Sequence, residues 1–485
     1  MGVANLHVTP GLAHGLGNLY DAQASGAPLL VTAGNHSTDF RHEDPLLSGD
    51  LVSIAEEFTK WSTEVLDVSA LSTVLRRAVR TALTPPTGPV FLSLLLDVTL
   101  AETDAAIEPL GSIPDAGSGD PAALDRAADL LASAEDVTLV VGDGVARAGA
   151  VNEAVALAEA AGARVHGEIL SSEVNFPATH NQWVSHVPPD ESVAWSLMDA
   201  DTLAFVGCSI HTTITRHEAP LVDKETTCIH LGDEAGDLGK RYRTDAVVLG
   251  DSGHLCDALA ARVAECLPED DREARLETVR DMKKSIAATI ETSLSTDSED
   301  PRASKAELVD GIHDAAPDAL IVDESITSRY AMLTRWPFEE GHFIGHKGGG
   351  LGYGLPATVG VSIAESERPD ADGREVIGFI GDDSYLYYPH TLYTAARCDT
   401  DLTVVVSDNR NYRILKDNML SMFGGDEGEH GFFGMDFDPA VDIPKNAESH
   451  GARGYLVETG DEITPTLDAA LAESGPDVLD VLVHD

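Results

Sequence analysis

The run VIGFIGDDSYLYYPHTLYTAARCDTDLTVVVSDNRNY, residues 376–412, contains two apolar segments that each end in acid or amide side chains. Val376–Ile380 and Leu402–Val406 are rich in β-branched residues and read as short buried strands, with a helical stretch between them. Strands joined in this way lie parallel, and in an open parallel sheet the carboxyl ends of neighbouring strands border the crevice where ligands bind. Asn409 follows Asp382 by 27 residues (409 − 382), about the length of one strand–helix–strand passage, so the two polar tips are expected side by side. One Asp at a strand end is a helix cap. Asp382 together with the Asn409 side-chain carbonyl, and a backbone carbonyl just beyond, makes a hard all-oxygen site, which suits Mg²⁺ when phosphate supplies the remaining ligands.

The rest of the chain bounds what such a site can serve. With 485 residues, two to four domains are expected, and 43% hydrophobic content is ordinary for a folded protein. The charge is not ordinary: 82 acidic residues against 32 Lys and Arg give −50. Such a surface repels nucleic acid and anionic membrane, so neither is an expected partner. Apolar strands throughout argue against disorder, and the acidity reads as adaptation to high salt, where cations screen a dense carboxylate coat. No apolar run reaches membrane-spanning length and the start lacks a basic segment leading into an apolar one, so a cytoplasmic location is expected. Cys208, Cys228, Cys256, Cys266 and Cys398 are widely spaced with no C-x-x-C, and read as small buried hydrophobes, not disulfides or zinc ligands.

Strand and helix patterns alternate from end to end, which predicts an α/β protein with parallel sheets covered by helices. Three consecutive domains are expected, at 1–105, 122–265 and 301–485. The first holds APLLVTAGN (27–35) and GPVFLSLLLDV (88–98), and a Gly/Pro/Asp-rich linker follows at 108–125. The second contains DVTLVVGDGVARAGA (136–150), where Gly142 and Gly144 fit a dinucleotide fingerprint but Arg147 takes the third glycine position. A plain strand–turn–helix of a Rossmann-like domain is the favoured reading there. Further strands are expected at DTLAFVGCS, TTCIHLG and DAVVLG, and a charged helical stretch (269–304) leads to the third domain. That domain offers DALIVDES, EVIGFIGDD, LTVVVSDN and PDVLDVLVHD as strands.

GDDS (381–384) followed by DNRNY (408–412) resembles the GDG…NN signature of the pyruvate-oxidase-like family of thiamine-diphosphate enzymes. HKGGGLGYGLPATVGVSIA (346–364) resembles the glycine-rich segment that precedes the signature there, and DESITSR (323–329) a segment that helps hold the diphosphate. NLHVTPGLAHGLGNLYDAQASGAPLLVTAGN (5–35) and KWSTEV (60–65) look like the first domain of benzoylformate decarboxylases. The resemblance spans nearly the whole chain. It implies a thiamine-diphosphate-binding fold on either side of a Rossmann-like domain, with thiamine diphosphate and Mg²⁺ as cofactors, FAD not being favoured. By the same resemblance Asp382, Asn409 and the Asn411 carbonyl hold the metal. Gly381, Asp383, Ser384, Ser325, Thr327, Asn411 and Tyr412 lie along the diphosphate, Gly349 and Gly350 contact the pyrimidine, and Leu351 is the bulky residue on which the cofactor folds. His7 matches a histidine that manages protons. His211 and His217 lie near, but out of register with, an expected second histidine.

The implied activity is non-oxidative decarboxylation of a small 2-oxo acid, in a homodimer or homotetramer, since the family builds its cofactor site between two subunits. An acetolactate-synthase-like carboligase is the nearest alternative, and a non-catalytic remnant subunit another. Departures from the pattern are Asp383 in place of the second glycine of GDG, Asp408 in place of the first Asn of NN, and His14 where Asn is common. Ile414 and Asn418 also differ from the small and aromatic residues of benzoylformate decarboxylases, so an aryl substrate is not implied. The family's ylid-triggering glutamate belongs upstream of NLH, which begins at residue 5, so a late start or truncation is expected. The charge makes its own prediction: the melting temperature falls on dialysis from molar KCl to low salt, and a constant value across that range refutes salt adaptation.

Overall fold

The computed structural model describes residues 1–107, 109–188, 191–209, 220–294, 300–368 and 373–484. Among these, three parallel sheets follow one another along the chain. The first comprises β1 (Gly2–Leu6), β2 (Leu29–Asn35), β3 (Trp61–Val65) and β4 (Val90–Leu95), in spatial order β1-β2-β4-β3. Next come β5 (Val137–Val141), β6 (Arg164–Gly167), β7 (Trp183–His186), β8 (Thr202–Val206), β9 (Thr227–Gly232) and β10 (Ala246–Leu249), ordered β10-β9-β8-β5-β6-β7. That is the order of a Rossmann-type doubly wound sheet. The third holds β11 (Leu320–Glu324), β12 (Phe343–Ile344), β13 (Val376–Gly381), β14 (Leu402–Asp408), β15 (Arg453–Val457) and β16 (Pro476–Leu482), ordered β12-β11-β13-β14-β16-β15.

Every expected strand is present. Those not anticipated are short or lack an apolar run: Gly2–Leu6, Trp61–Val65, Arg164–Gly167, Trp183–His186, Phe343–Ile344 and Arg453–Val457. β13, β14 and β16 are buried along their whole length, because helices cover both faces of the sheet. Their side chains divide by alternation. Phe379, Val405 and Leu479 enter one core, and Ile380, Val404, Val406 and Val478 the other. Asp120, near the end of the stretch read as linker, caps the helix Pro121–Ser133 that opens the second domain, with proline in its first turn. The charged stretch after the second domain forms the helix Glu269–Leu294. Cys208, Cys228 and Cys256 are buried as expected, but Cys266 and Cys398 are exposed, Cys266 ending a surface helix and Cys398 capping another. No helix among the described residues is long and apolar enough to cross a membrane.

One helix, Gly354–Ser366, packs over β13 and reaches its neighbours β11 and β14. Gly378 makes that approach possible, since a Cβ there would sit 2.5 Å from Thr358 Oγ1 and 3.1 Å from its methyl group. Gly378→Ala is expected to lower the unfolding free energy by about 1–3 kcal/mol in urea titration. Adding Thr358→Ala should restore part of the loss, and a stable single variant contradicts the packing described.

Candidate active site

The strands stay parallel, but their order reverses at β11, with β12 added on one side and β13 on the other, so the switch-point crevice is bounded by the chain after Glu324 and the chain after Gly381. Gly381 pairs with Ser407 in the parallel register, which brings Asp382 beside Asp408 at the tips of β13 and β14. Asp382 and Asp408 are 3% and 4% exposed. Asp382 Oδ1 accepts the Asp383 amide at 3.0 Å, while Oδ2 is buried with no donor. Asp480 reaches the same place from β16. Burial, and then the neighbouring Asp408 carboxyl, push Asp382 up to about 9 and Asp480 up to about 8. Three carboxyls crowd the sheet end, and Arg410, 3.7 Å from Asp408 Oδ2, is the cation beside them.

Asp383, the residue in place of glycine, is also buried, and its Oδ1 accepts the Ser384 amide at 2.7 Å. Burial raises its pKa as well. On the other wall Ser325 Oγ donates to Asp323 at 2.6 Å, Ile326 takes a left-handed φ of 49°, and Thr327 is half-buried. Ser328 and Ser407 hydroxyls meet at 2.8 Å and tie this loop to β14. Asn409 Oδ1 accepts the Asn411 amide at 3.1 Å, and the Asn411 carbonyl accepts the Arg413 amide at 2.9 Å. Tyr412 opens the helix Arg413–Phe423, its amide held by Met435 O at 2.8 Å.

The glycine-rich segment passes the tip of β11. Glu324 collects the amides of Gly352 (2.7 Å), Tyr353 (3.1 Å) and Gly354 (2.6 Å) and so caps the following helix. Its burial raises its pKa to about 7 against those three bonds. Gly352 has φ 95° and would carry a Cβ 2.6 Å from the Tyr388 ring, so only glycine fits. Gly349 is also left-handed, at 72°, and Leu351 is half-buried. Thus Ser325, Thr327, Gly381, Asp382, Asp383, Ser384, Asn409, Asn411 and Tyr412 gather at the ends of β11, β13 and β14, with Gly349, Gly350 and Leu351 on the loop that Glu324 holds.

His7 stands apart. It is exposed at the start of the helix Val8–Ala24, its ring makes no capping bond, and no hydrogen bond joins it to the third domain among the described residues. His211 and His217 lie outside the described residues. Sequence reading missed Glu324 and Asp480. Glu324 closes an apolar strand and Asp480 interrupts one, and a buried acid in either position is the available signal.

In the second domain, the loops after β5 and β8 close on each other. Gly144 donates to Gly207 O at 2.9 Å, and a Cβ on Gly142 would lie 2.7 Å from Cys208 Cα. Gly142 and Gly144 therefore serve loop–loop contact, as the plain strand–turn–helix reading requires.

Two family models match this chain: the thiamine pyrophosphate enzyme C-terminal TPP binding domain over residues 327–481, and the thiamine pyrophosphate enzyme central domain over residues 124–259. The chain belongs to the thiamine-pyrophosphate enzymes. Benzoylformate decarboxylase of Pseudomonas aeruginosa is 28% identical over 98% of this chain and 86% of that protein. A "Probable acetolactate synthase large subunit" of Methanocaldococcus jannaschii is 25% identical over 98% of this chain and 80% of its own length. The solved thiamine diphosphate-dependent 4-hydroxybenzoylformate decarboxylase of Rhodococcus jostii superposes with a TM-score of 0.83 at 25% identity, covering 99% of this chain and 87% of that one.

The crevice of this thiamine-pyrophosphate enzyme suits a cation bound through mixed oxygens. Asp382 Oδ2 is buried without a donor, and among the described residues no three His, Cys, Asp or Glu side chains form a group that could hold a metal ion by themselves. The raised carboxyls set a pH dependence. Their native pKa lies above the unfolded value, so the native state binds extra protons between about pH 4 and 8–9, and stability falls as pH rises through that window. Without divalent metal we expect a loss of about 1.4 kcal/mol per pH unit for each such proton between pH 6 and 8. Asp382→Asn should flatten the slope, and an unaltered slope in urea titrations refutes the assignment.

Proposed function

We propose that this thiamine-pyrophosphate enzyme carries out Mg²⁺-dependent, non-oxidative decarboxylation of a small 2-oxo acid. The observation carrying this reading is the buried, donor-free oxygen of Asp382 at a sheet tip shared with Asn409, beside a glycine-rich loop capped by Glu324. In this reading Asp382, Asn409 Oδ1 and the Asn411 carbonyl hold Mg²⁺. Ser384, Ser325 and Thr327 turn to the diphosphate, with Gly381, Asp383 and Tyr412 alongside. Gly349 and Gly350 bring backbone against the pyrimidine, and Leu351 supports its fold. Bound thiamine diphosphate supplies the electron sink that accepts the pair left when CO₂ departs. The chain's own part is to bind, to exclude water and to handle protons. Asp383 puts negative charge beside the diphosphate, which makes retention more dependent on Mg²⁺ than a glycine would.

His7 is the proton-handling group, delivered by a second copy of the chain. Exposed apolar side chains favour such association: Leu46, Leu66 and Leu100 in the first domain, and Met422, Phe423 and Phe433 in the third. The decarboxylase is preferred to a flavin-containing carboligase because the second-domain crevice is closed by its own loops at Gly144 and Gly207. A flavin-coloured preparation would favour the carboligase.

The test is a panel of 2-oxo acids at high salt with Mg²⁺ and thiamine diphosphate, recording CO₂ and coupled products. CO₂ release with aldehyde product is expected, and acetolactate-type products as the sole outcome would overturn the reading. Asp382→Ala should cost about a hundredfold in cofactor affinity. His7→Ala should lower kcat by about 10²–10⁴-fold with cofactor affinity unchanged. Sedimentation should show a dimer or tetramer, and a monomer that turns over contradicts the shared site.

A further inference from the structure

The segment that opens the glycine-rich loop is held by the other two domains. Lys347 is 7% exposed, and its Nζ donates to Asp143 Oδ2 at 2.8 Å and to Glu168 Oε1. Asp143 follows β5 and Glu168 follows β6, so the ammonium of a third-domain residue sits at the carboxyl ends of two neighbouring strands of the second domain, beside the β5/β8 switch point of its sheet. The site is built for it. Asp143 also accepts the Ser172 amide (3.0 Å), the Ser172 hydroxyl (2.7 Å) and Asn175 Nδ2 (3.0 Å), and Glu168 accepts the amides of Asp143 (3.1 Å) and Ser209 (2.9 Å). Burial opposes charge on both sides of the pair. The two carboxylates nevertheless hold the Lys347 pKa above its ordinary value, and Lys347 holds that of Asp143 below its own.

From the opposite side Asp21, on the helix Val8–Ala24, accepts the backbone amides of Lys347 (2.9 Å) and Gly348 (2.6 Å) on one oxygen. Gly348 packs so tightly there that a Cβ would lie 2.8 Å from Asp21 Cα. Gly350 lies against the Gly17 carbonyl of the same helix. Residues 347–348 are thus clamped between two domains, immediately before the left-handed Gly349.

We propose that Lys347 and Asp21 are positioning residues for the cofactor. Lys347 docks at the carboxyl ends of β5 and β6 as an internal ligand of the second domain, and the double clamp presets the Gly349–Leu351 turn for the pyrimidine, so the turn is already ordered when the cofactor binds. This rests on the assignment of Gly349–Leu351 to thiamine diphosphate made above. Removing Lys347 alone strands two buried carboxylates and threatens folding, so the charge cluster is neutralised as a whole in Lys347→Met/Asp143→Asn/Glu168→Gln. Asp21→Ala tests the other clamp with the cluster intact.

Thiamine diphosphate with Mg²⁺ is titrated calorimetrically into wild type and both variants, and hydrogen exchange of residues 346–352 is followed without cofactor. Expected are unfolding transitions near wild type, faster exchange in 346–352, about tenfold weaker cofactor binding, and kcat within twofold of wild type at saturating cofactor. Wild-type affinity and exchange in Asp21→Ala overturn the proposal whether or not the triple variant folds. Wild type that takes up no thiamine diphosphate refutes the cofactor assignment instead, whereas wild type and variants that bind alike refute only the clamp.

Discussion

A parallel register that sets Gly381 opposite Ser407 is the constraint on which the site depends. Hydrogen bonding between β13 and β14 leaves no freedom in the relative height of their ends, so the residues that follow, Asp382 and Asp408, must share one buried corner. Their mutual repulsion and desolvation are tolerable only with protons or a cation present. The same sheet geometry brings the loop after β11 to the facing wall, through the Ser328–Ser407 contact. The cores on both faces of the sheet supply stability that offsets the burial of these acids.

A second theme is the use of buried acid as structural cement. Glu324, Asp143, Glu168 and Asp21 each collect several donors from chain distant in sequence, and three of the four join separate domains. In a protein with a formal charge of −50, acid is the abundant polar residue, and inside the molecule it terminates helices and pins loops that glycine makes pliable. Asp383 follows the same pattern, since its carboxylate occupies the Ser384 amide at the tip of β13. Exposed acid on the surface and satisfied acid in the interior follow different rules, the first governed by screening and the second by donor geometry.

The fold was largely legible because its long strands are apolar on both faces. Val376–Gly381 and Leu402–Asp408 announce themselves by β-branched runs that end in polar residues, and a separation of 27 positions from Asp382 to Asn409 allowed little but one passage across the sheet. Strands such as Arg453–Val457 and Trp61–Val65 escaped notice because they are half-exposed and lack an apolar run. Two exposed cysteines were misjudged for a related reason, since composition says nothing of which face of a helix a residue takes.

By itself the sequence determined the alternation of elements and the polar strand tips that carry Asp382 and Asn409, because periodicity and spacing are local properties that backbone geometry converts directly into position, while the other site residues came from the family resemblance. Only the tertiary structure decided that Asp480 adds a third carboxyl to the corner, that Glu324 turns back to cap the glycine-rich loop, and that Lys347 crosses into the second domain. Asp143 and Lys347 are 204 residues apart, and no local pattern encodes a partner at that distance. Such contacts exist only once three separately built sheets have packed, when burial leaves each charge only the donors or acceptors that the neighbouring domains bring within reach.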